Sequence, residues 1–420
     1  MLGKIKDHDA IRHLGPGLIT GAADDDPSGI ATYSQAGAQF GLGMLWTVVL
    51  TYPLMVGIQT ISARMGCVTG QGLAANIRKA FPKPVVMVIV ALLVAANVIN
   101  IAADIAAMGE ALQLIIGGGE HFHAVVFGFT CLVLQIFMPY ERYVRFLKWL
   151  TLALLSYVAV VFTVSVPWLE VAARVVWPKL ALNADSIMVI VAVFGTTISP
   201  YVFFWQATHE AQDVRRGPDG AMVAYTAQEA RDHLNRIKWD TYIGMGFSNL
   251  VAFFIILSTA MTLHVAGITE IQTAGQAAEA LRPIAGHFTF LLFALGIIGT
   301  GMLAVPILAG SAAYAMAEVF DWKTGLDRKL FEAKEFYAMV TFATIGGTIL
   351  DFTGIDPIKA LFWSAVVNGF IAVPIMVVMM LLAQRPEVMG PFVVGRRLRA
   401  VGWACTLAML VAVVAMVVTM

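Results

Sequence analysis

The sequence predicts an all-α, polytopic membrane protein. Three observations carry the prediction: 59% of the 420 residues are hydrophobic and only 13% are charged, the mean hydropathy is +0.80, and apolar stretches of membrane-spanning length recur along the chain. No ordinary soluble domain has this balance. A helix crosses the hydrocarbon core in about 17 to 25 apolar residues. By that measure the spans fall at roughly 14–37, 42–65, 84–116, 122–139, 145–167, 185–211, 239–264, 284–318, 335–350, 358–383 and 399–419. The expectation is eleven transmembrane helices in a single transporter-like domain, 1–420.

Direction follows from the basic residues, because Lys and Arg near helix ends stay on the cytoplasmic side. With the N-terminus inside, 23 of the 27 Lys and Arg residues fall in cytoplasmic segments and only Arg174, Lys179, Arg282 and Lys359 fall outside. One missed helix would scramble that split, so it supports both the helix count and an inner-membrane topology with the C-terminus outside. The basic residues are thus spent on topology rather than on a phosphate-binding patch, and nucleic acid is not an expected partner. Cys67, Cys131 and Cys405 are scattered without CxxC spacing and read as buried small hydrophobes. There is no G-x-x-x-x-G-K-[ST] loop, and Asp321-Trp322-Lys323-Thr324-Gly325 only superficially matches a phosphorylated-aspartate motif, so no ATP use is expected. The first apolar run carries acid at its centre and lacks a small-residue cleavage site, which argues against a signal peptide.

That first span holds the most informative run, Asp24-Asp25-Asp26-Pro27-Ser28-Gly29. Carboxylates at membrane depth cost a few kcal/mol each on insertion scales and persist only beside protein, water or a bound cation. A cation is therefore the expected ligand. Asp26 before Pro27 is also a helix-start signature: the side chain caps free N–H groups and proline takes the first turn, where its missing N–H is no loss. The sixth span repeats the device with Ser199 before Pro200, after Gly195-Thr196-Thr197. Each span then reads as two half-helices with an unwound joint, the alternative being a structural proline kink. The joints lie five spans apart, so the second half must be inverted, with repeats at about 14–167 and 185–383 and an extra helix at 399–419. Paired broken helices in two inverted halves point to a secondary transporter's central site.

At 100° per residue, Asp24, Asp25 and Asp26 cannot all face one ion. Asp26, at the break, is the best ligand. Asp24 and Asp25 are left to line a vestibule, pair with a base, or carry protons. The polar stretch from 212 to 238 reads as a turn at Gly217-Pro218-Asp219-Gly220 followed by an amphipathic cytoplasmic helix.

Gly15-Pro16-Gly17, Asp26-Pro27, the run from Gln59 to Gly66 and Thr69-Gly70 together resemble the Nramp family of divalent-metal transporters, which have an inverted-repeat, LeuT-like fold. The resemblance continues through Asp104 and the Pro200 break and covers essentially the whole chain. It implies discontinuous helices 1 and 6 within repeats of helices 1–5 and 6–10. It also implies a metal site, but one altered in kind. The family's Asp-Pro-Gly-Asn becomes Asp26-Pro27-Ser28-Gly29, with Gly29 in place of the ligating asparagine. The family's Met-Pro-His becomes Ser199-Pro200-Tyr201, without the thioether. Ala23 and Thr196 match positions that offer backbone carbonyls. Of the family's proton-route groups on helices 3 and 6, Asp104 remains, while Asn97 and Ala107 replace carboxylates and Tyr201 and Gln206 replace histidines. Asn368 on helix 10 stands where the family has second-shell polar groups, or else makes an interhelical hydrogen bond.

An oxygen-only site with small side chains suits hard ions, and Mg²⁺, which keeps several waters, needs room. The expectation is an importer of Mg²⁺ by preference and of Mn²⁺, similar to the magnesium-transporting branch related to Nramp, working by alternating access without strict proton coupling. The transported ion is the only metal expected, with no cofactor. The alternatives are a proton-coupled Mn²⁺/Fe²⁺ symporter, an amino-acid or organic-cation transporter on the same scaffold, and an intramembrane enzyme. The last is disfavoured because no Ser/His, HExxH or paired-Asp constellation is present.

Overall fold

The computed structural model of the chain describes residues 21, 24–138, 150–179, 181, 183–215, 226–326, 328 and 330–420. Among them there is no strand, and nine helical stretches are long and apolar enough to cross a membrane. The first, Pro27–Thr69, contains two predicted spans, α1 (Pro27–Phe40) and α2 (Leu45–Thr69), separated by a single 3-10 turn at Gly41–Met44. A connecting helix α3 (Leu73–Ala80) leads to α4 (Lys83–Ile116) and α5 (Glu120–Phe137). The fifth predicted span, 145–167, has its first five residues outside the described residues and continues as a 3-10 turn at Leu150–Leu154. It then forms α6 (Leu155–Val161), and α7 (Trp168–Val176) follows.

The second half runs through α8 (Ala184–Thr197), α9 (Pro200–Arg215), α10 (Ala227–Thr259), the short α11 (Ala274–Ala278), α12 (Thr289–Phe320), α13 (Lys334–Leu350), α14 (Pro357–Leu382) and α15 (Arg396–Thr419). Starts are set by side-chain caps. Asn183 and Ser186 form a reciprocal capping box on α8, and Asp356 caps α14 ahead of Pro357. Thr226 and Glu229 form another box on α10, which contains no proline and continues unbroken to Thr259. The separate amphipathic helix expected from the sequence is therefore the first turns of a transmembrane helix, and the turn at 217–220 lies outside the described residues.

Helices α1, α2, α8, α9 and α10 form one group, which leans on a second group of α4, α5, α12 and α13, while α14 touches both. Small residues set the closest approaches. A side chain at Gly66 of α2 would collide with the Ala207 carbonyl of α9, and one at Gly195 of α8 with the Ala365 carbonyl and the Gly369 backbone of α14. The core between the groups is apolar and sealed, with Trp205, Tyr314 and Phe336 fully buried. Ile243, Leu250, Phe370, Leu407 and Val411 point outward, as on a lipid-facing surface.

The two ends of the bundle differ. One end, here called the basic end, gathers α3 with Arg78 and Lys79, the start of α10 with Arg236, the last turn of α12, and Arg385 beyond α14. Arg78 pairs bidentately with Asp321 and donates to the Val319 carbonyl at 3.0 Å, and Arg385 reaches the Ala80 carbonyl at 3.1 Å. At the opposite end Gln35 of α1 accepts from the Ile271 N–H at 2.9 Å, and Glu110 of α4 accepts from the Ala274 N–H at 2.8 Å.

Candidate functional site

Both sequence breaks are present and meet in mid-bundle. Asp26 is extended (φ −70°, ψ 171°) and caps α1: its Oδ1 accepts from the Gly29 N–H at 2.8 Å and the Ser28 hydroxyl at 2.6 Å. Pro27 occupies the first helical position. The Tyr201 hydroxyl on α9 is a third donor facing this carboxylate. These donors fix the orientation of the Asp26 carboxylate, with Oδ1 turned to the start of its own helix.

The second break is the pair Ile198-Ser199 between α8 and α9, with Ile198 at φ −118°, ψ 60°. Ser199 turns its hydroxyl back onto the α8 carbonyls of Gly195 (3.0 Å) and Thr196 (2.7 Å). That satisfies carbonyls that lose their helical partners at the break, and it leaves the serine oxygen's lone pairs available. The breaks are tied to each other by the Tyr33 hydroxyl, 3.1 Å from Thr197 Oγ1, and by Ser28 Oγ, 3.5 Å from Thr196 Oγ1. Gly29 makes the approach possible: a Cβ there would stand 3.2 Å from Thr196 Oγ1, 3.3 Å from the Tyr33 ring and 3.6 Å from the Asp24 carbonyl oxygen. Asp26, Gly29, Thr196, Ser199 and Tyr201 are thus brought together, whereas Ala23 lies outside the described residues.

The aspartate triplet splits because Asp25 and Asp26 have left the helix and Asp26 is extended. Asp25 and Asp24 both turn to the Ser248 hydroxyl of α10, at 2.9 and 3.4 Å. Other expected residues sit further out. Gln206 accepts from Gln59 of α2 and donates to Thr241 of α10 at 3.2 Å, and Asn97 donates to the Leu308 carbonyl at 2.8 Å. Asp104 is completely buried and neither carboxylate oxygen has a hydrogen-bond partner. Asn100, one turn away on α4, and Asn368 on α14 are likewise buried and unpartnered.

Sequence reasoning missed Ser28, Tyr33, Ser248, Gln59 and Asn100. Ser28 and Tyr33 were signalled by lying within two turns of a capped proline start. Ser248-Asn249 is a polar pair in the middle of an apolar span, and only the fold shows what it faces.

Asp24, Asp25, Asp26 and Asp104 are all at most 2% exposed, and among the described residues none of them is in an ion pair. Buried carboxylates without a base demand a cation or a proton. Among the described residues no three His, Cys, Asp or Glu side chains converge as a metal cage. The centre offers one carboxylate among hydroxyls and backbone carbonyls. Ser199 and Thr196 are 3% and 1% exposed, so both are shut off from solvent in this conformation.

Two discontinuous helices meeting around buried polar side chains, within paired helical groups, define a secondary-transporter scaffold of the LeuT-like type. Its branch is set by sequence: a family model described as natural resistance-associated macrophage protein-like matches residues 17–419, and the chain belongs to the Nramp family of divalent-metal transporters. It is 26% identical over 400 residues to a divalent metal cation transporter MntH of Klebsiella pneumoniae, covering 93% of this chain and 90% of that one. In three dimensions it resembles the Eremococcus coleocola manganese transporter, with a TM-score of 0.77, 16% identity, and coverage of 99% of this chain and 88% of that one. It also resembles Mhp1, a nucleobase-cation-symport-1 family transporter, with a TM-score of 0.58, 13% identity, and coverage of 96% and 92%.

Proposed function

We propose that this protein imports Mg²⁺ by preference, and Mn²⁺ as well, by alternating access of α1, α8 and their partner half-helices around Asp26. The carrying observation is the donor set. Asp26, the Ser199 oxygen and the carbonyls beside Gly29 and Thr196 are all oxygen, and small residues stand where the family has Asn and Met. Hard, partly hydrated cations fit such a set. The carbonyl of Ala23 is part of the proposed site by resemblance, and Asp24, Asp25, Asn97, Asp104, Tyr201, Gln206 and Asn368 are its surroundings or ion path. The basic end faces the cytoplasm of a bacterial inner membrane, with the N-terminus inside and the C-terminus outside, on the Lys and Arg distribution.

Entry needs no second ion. An inside-negative potential of 100 mV contributes about 4.6 kcal/mol to a divalent ion, on the order of a thousandfold accumulation. The test is a metal panel in proteoliposomes carrying a potential but no pH gradient: Mg²⁺ and Mn²⁺ influx is expected for the native chain and none for Asp26→Ala. Influx without Mg²⁺ among the carried ions would overturn the preference.

A second reading, proton-coupled Mn²⁺ uptake, is favoured by one observation, the unpartnered carboxylate of Asp104. It predicts lumenal acidification at a fixed ratio to metal influx, abolished by Asp104→Asn.

A further inference from the structure

Between the central chamber and the basic end, α9 carries Gln206, Glu210 and Asp213 at i, i+4 and i+7, one face of the helix. This face meets α2 and α10. Its first layer is the Gln59, Gln206 and Thr241 chain already described. In the second layer Glu210 is fully buried. Its Oε2 accepts from Arg236 Nη2 of α10 at 2.9 Å, and its Oε1 has no hydrogen-bond partner. Arg236 is itself 39% exposed on its side chain and stands 3.9 Å from Asp213, which is 41% exposed. Glu210 lies eleven residues beyond Ser199, three helical turns or about 16 Å along the axis, and so on the same face.

A structural buried ion pair stabilises only when its remaining lone pairs are also satisfied. This one leaves an oxygen open, and its arginine has a second carboxylate to move to at the solvent edge. The cationic partner is replaceable and the anionic one is fixed.

We propose that Glu210 is a release site for the divalent cation on its way to the basic end, covered by Arg236 in the closed conformation and uncovered when Arg236 moves to Asp213. Glu210 takes a partly hydrated dication in place of the guanidinium, and Arg236 displaces that ion into solvent when it returns. The inference rests on the proposed transport of divalent cations, but it concerns a different residue and is read by binding alone.

The experiment is calorimetric titration of full-length purified protein with Mn²⁺, with the central site disabled by Asp26→Ala in every arm. Adding Arg236→Gln is expected to reveal a site at least tenfold tighter than in Asp26→Ala alone, and adding Glu210→Gln to that pair is expected to abolish it. No gain on Arg236→Gln, or a gain that persists with Glu210→Gln, overturns the proposal. Each variant is first checked for a monodisperse peak and cooperative thermal unfolding, and Arg236→Lys and Glu210→Asp replace any that fails. With these milder changes the proposal requires the Mn²⁺ affinity to shift in Glu210→Asp, and an unchanged affinity overturns it. Equal Mn²⁺ binding by the native chain and Asp26→Ala would instead refute the central site while leaving the Glu210 arms readable.

Discussion

The Tyr33 hydroxyl of α1 stands 3.1 Å from the Thr197 hydroxyl of α8, across the gap between the two broken segments. Thr197 in turn donates to the Val193 carbonyl one turn back. The half-helices that follow the first break and precede the second are therefore one mechanical unit. Removing the link with Tyr33→Phe costs about 1 kcal/mol, the net worth of a buried hydrogen bond. A drop of a few degrees in thermal unfolding is expected, with Mg²⁺ flux reduced less than tenfold. Complete loss of flux would show the phenol to be a ligand rather than a tie.

Asp26 both starts a helix and is proposed to hold the ion, and two substitutions separate the roles. Asparagine caps helices about as well as aspartate, whereas alanine does not. Asp26→Asn is expected to keep native thermal stability and lose metal affinity by at least about a hundredfold, roughly 2.7 kcal/mol. Asp26→Ala should lose both, with about 1 kcal/mol of stability gone. Calorimetric binding and unfolding of the two variants side by side check this.

Ser199→Met tests the donor set. A thioether at the second break should move the preference from Mg²⁺ toward softer ions such as Cd²⁺ in a proteoliposome competition assay. The variant also frees the Gly195 and Thr196 carbonyls from the serine hydroxyl, so about 1 to 2 kcal/mol of destabilisation should accompany it. Selectivity identical to that of the native chain would contradict the proposed site.

Glycine contacts should sort by what they face. Gly66 abuts the rigid Ala207 carbonyl, so Gly66→Ala should cost about 1 to 3 kcal/mol as overpacking. A Cβ at Gly29 asks only a few tenths of an ångström of the Thr196 hydroxyl and the Tyr33 ring. Gly29→Ala is therefore expected to fold and to lower Mg²⁺ flux relative to Mn²⁺ by crowding the more hydrated ion.

At the basic end, Arg78 holds the exposed Asp321 carboxyl below the usual carboxylate range through their hydrogen bonds. A depressed folded-state value means the pair's contribution is complete above the ordinary value of 3.8 and is lost as pH falls through the folded-state value. Thermal stability should therefore be unaffected by this pair between pH 5 and 8. Asp321→Asn should flatten only the acid limb of the melting profile.

The architecture was legible because its signals are local. Span lengths and the two cap-proline steps at Asp26-Pro27 and Ser199-Pro200 each follow from a few adjacent residues. Asp26 stood apart from its neighbours by its place directly before Pro27. What Asp24 and Asp25 turn toward was not legible, because Ser248 is more than two hundred positions away and its contact is made only by packing of α10. The direction of the Ser199 hydroxyl was equally hidden, since it depends on how α8 ends. The charged first turns of the helix that begins at Ala227 mimic a separate surface element, although the Thr226 cap that starts it is a local signal.

Asp26 is ordered by donors belonging to the protein itself, two from its own helix start and one from Tyr201. Its orientation is therefore written into the chain, unlike a zinc finger, whose shape waits for its metal. Substitutions at Ser28 or Tyr201 are thus expected to loosen this carboxylate without removing it.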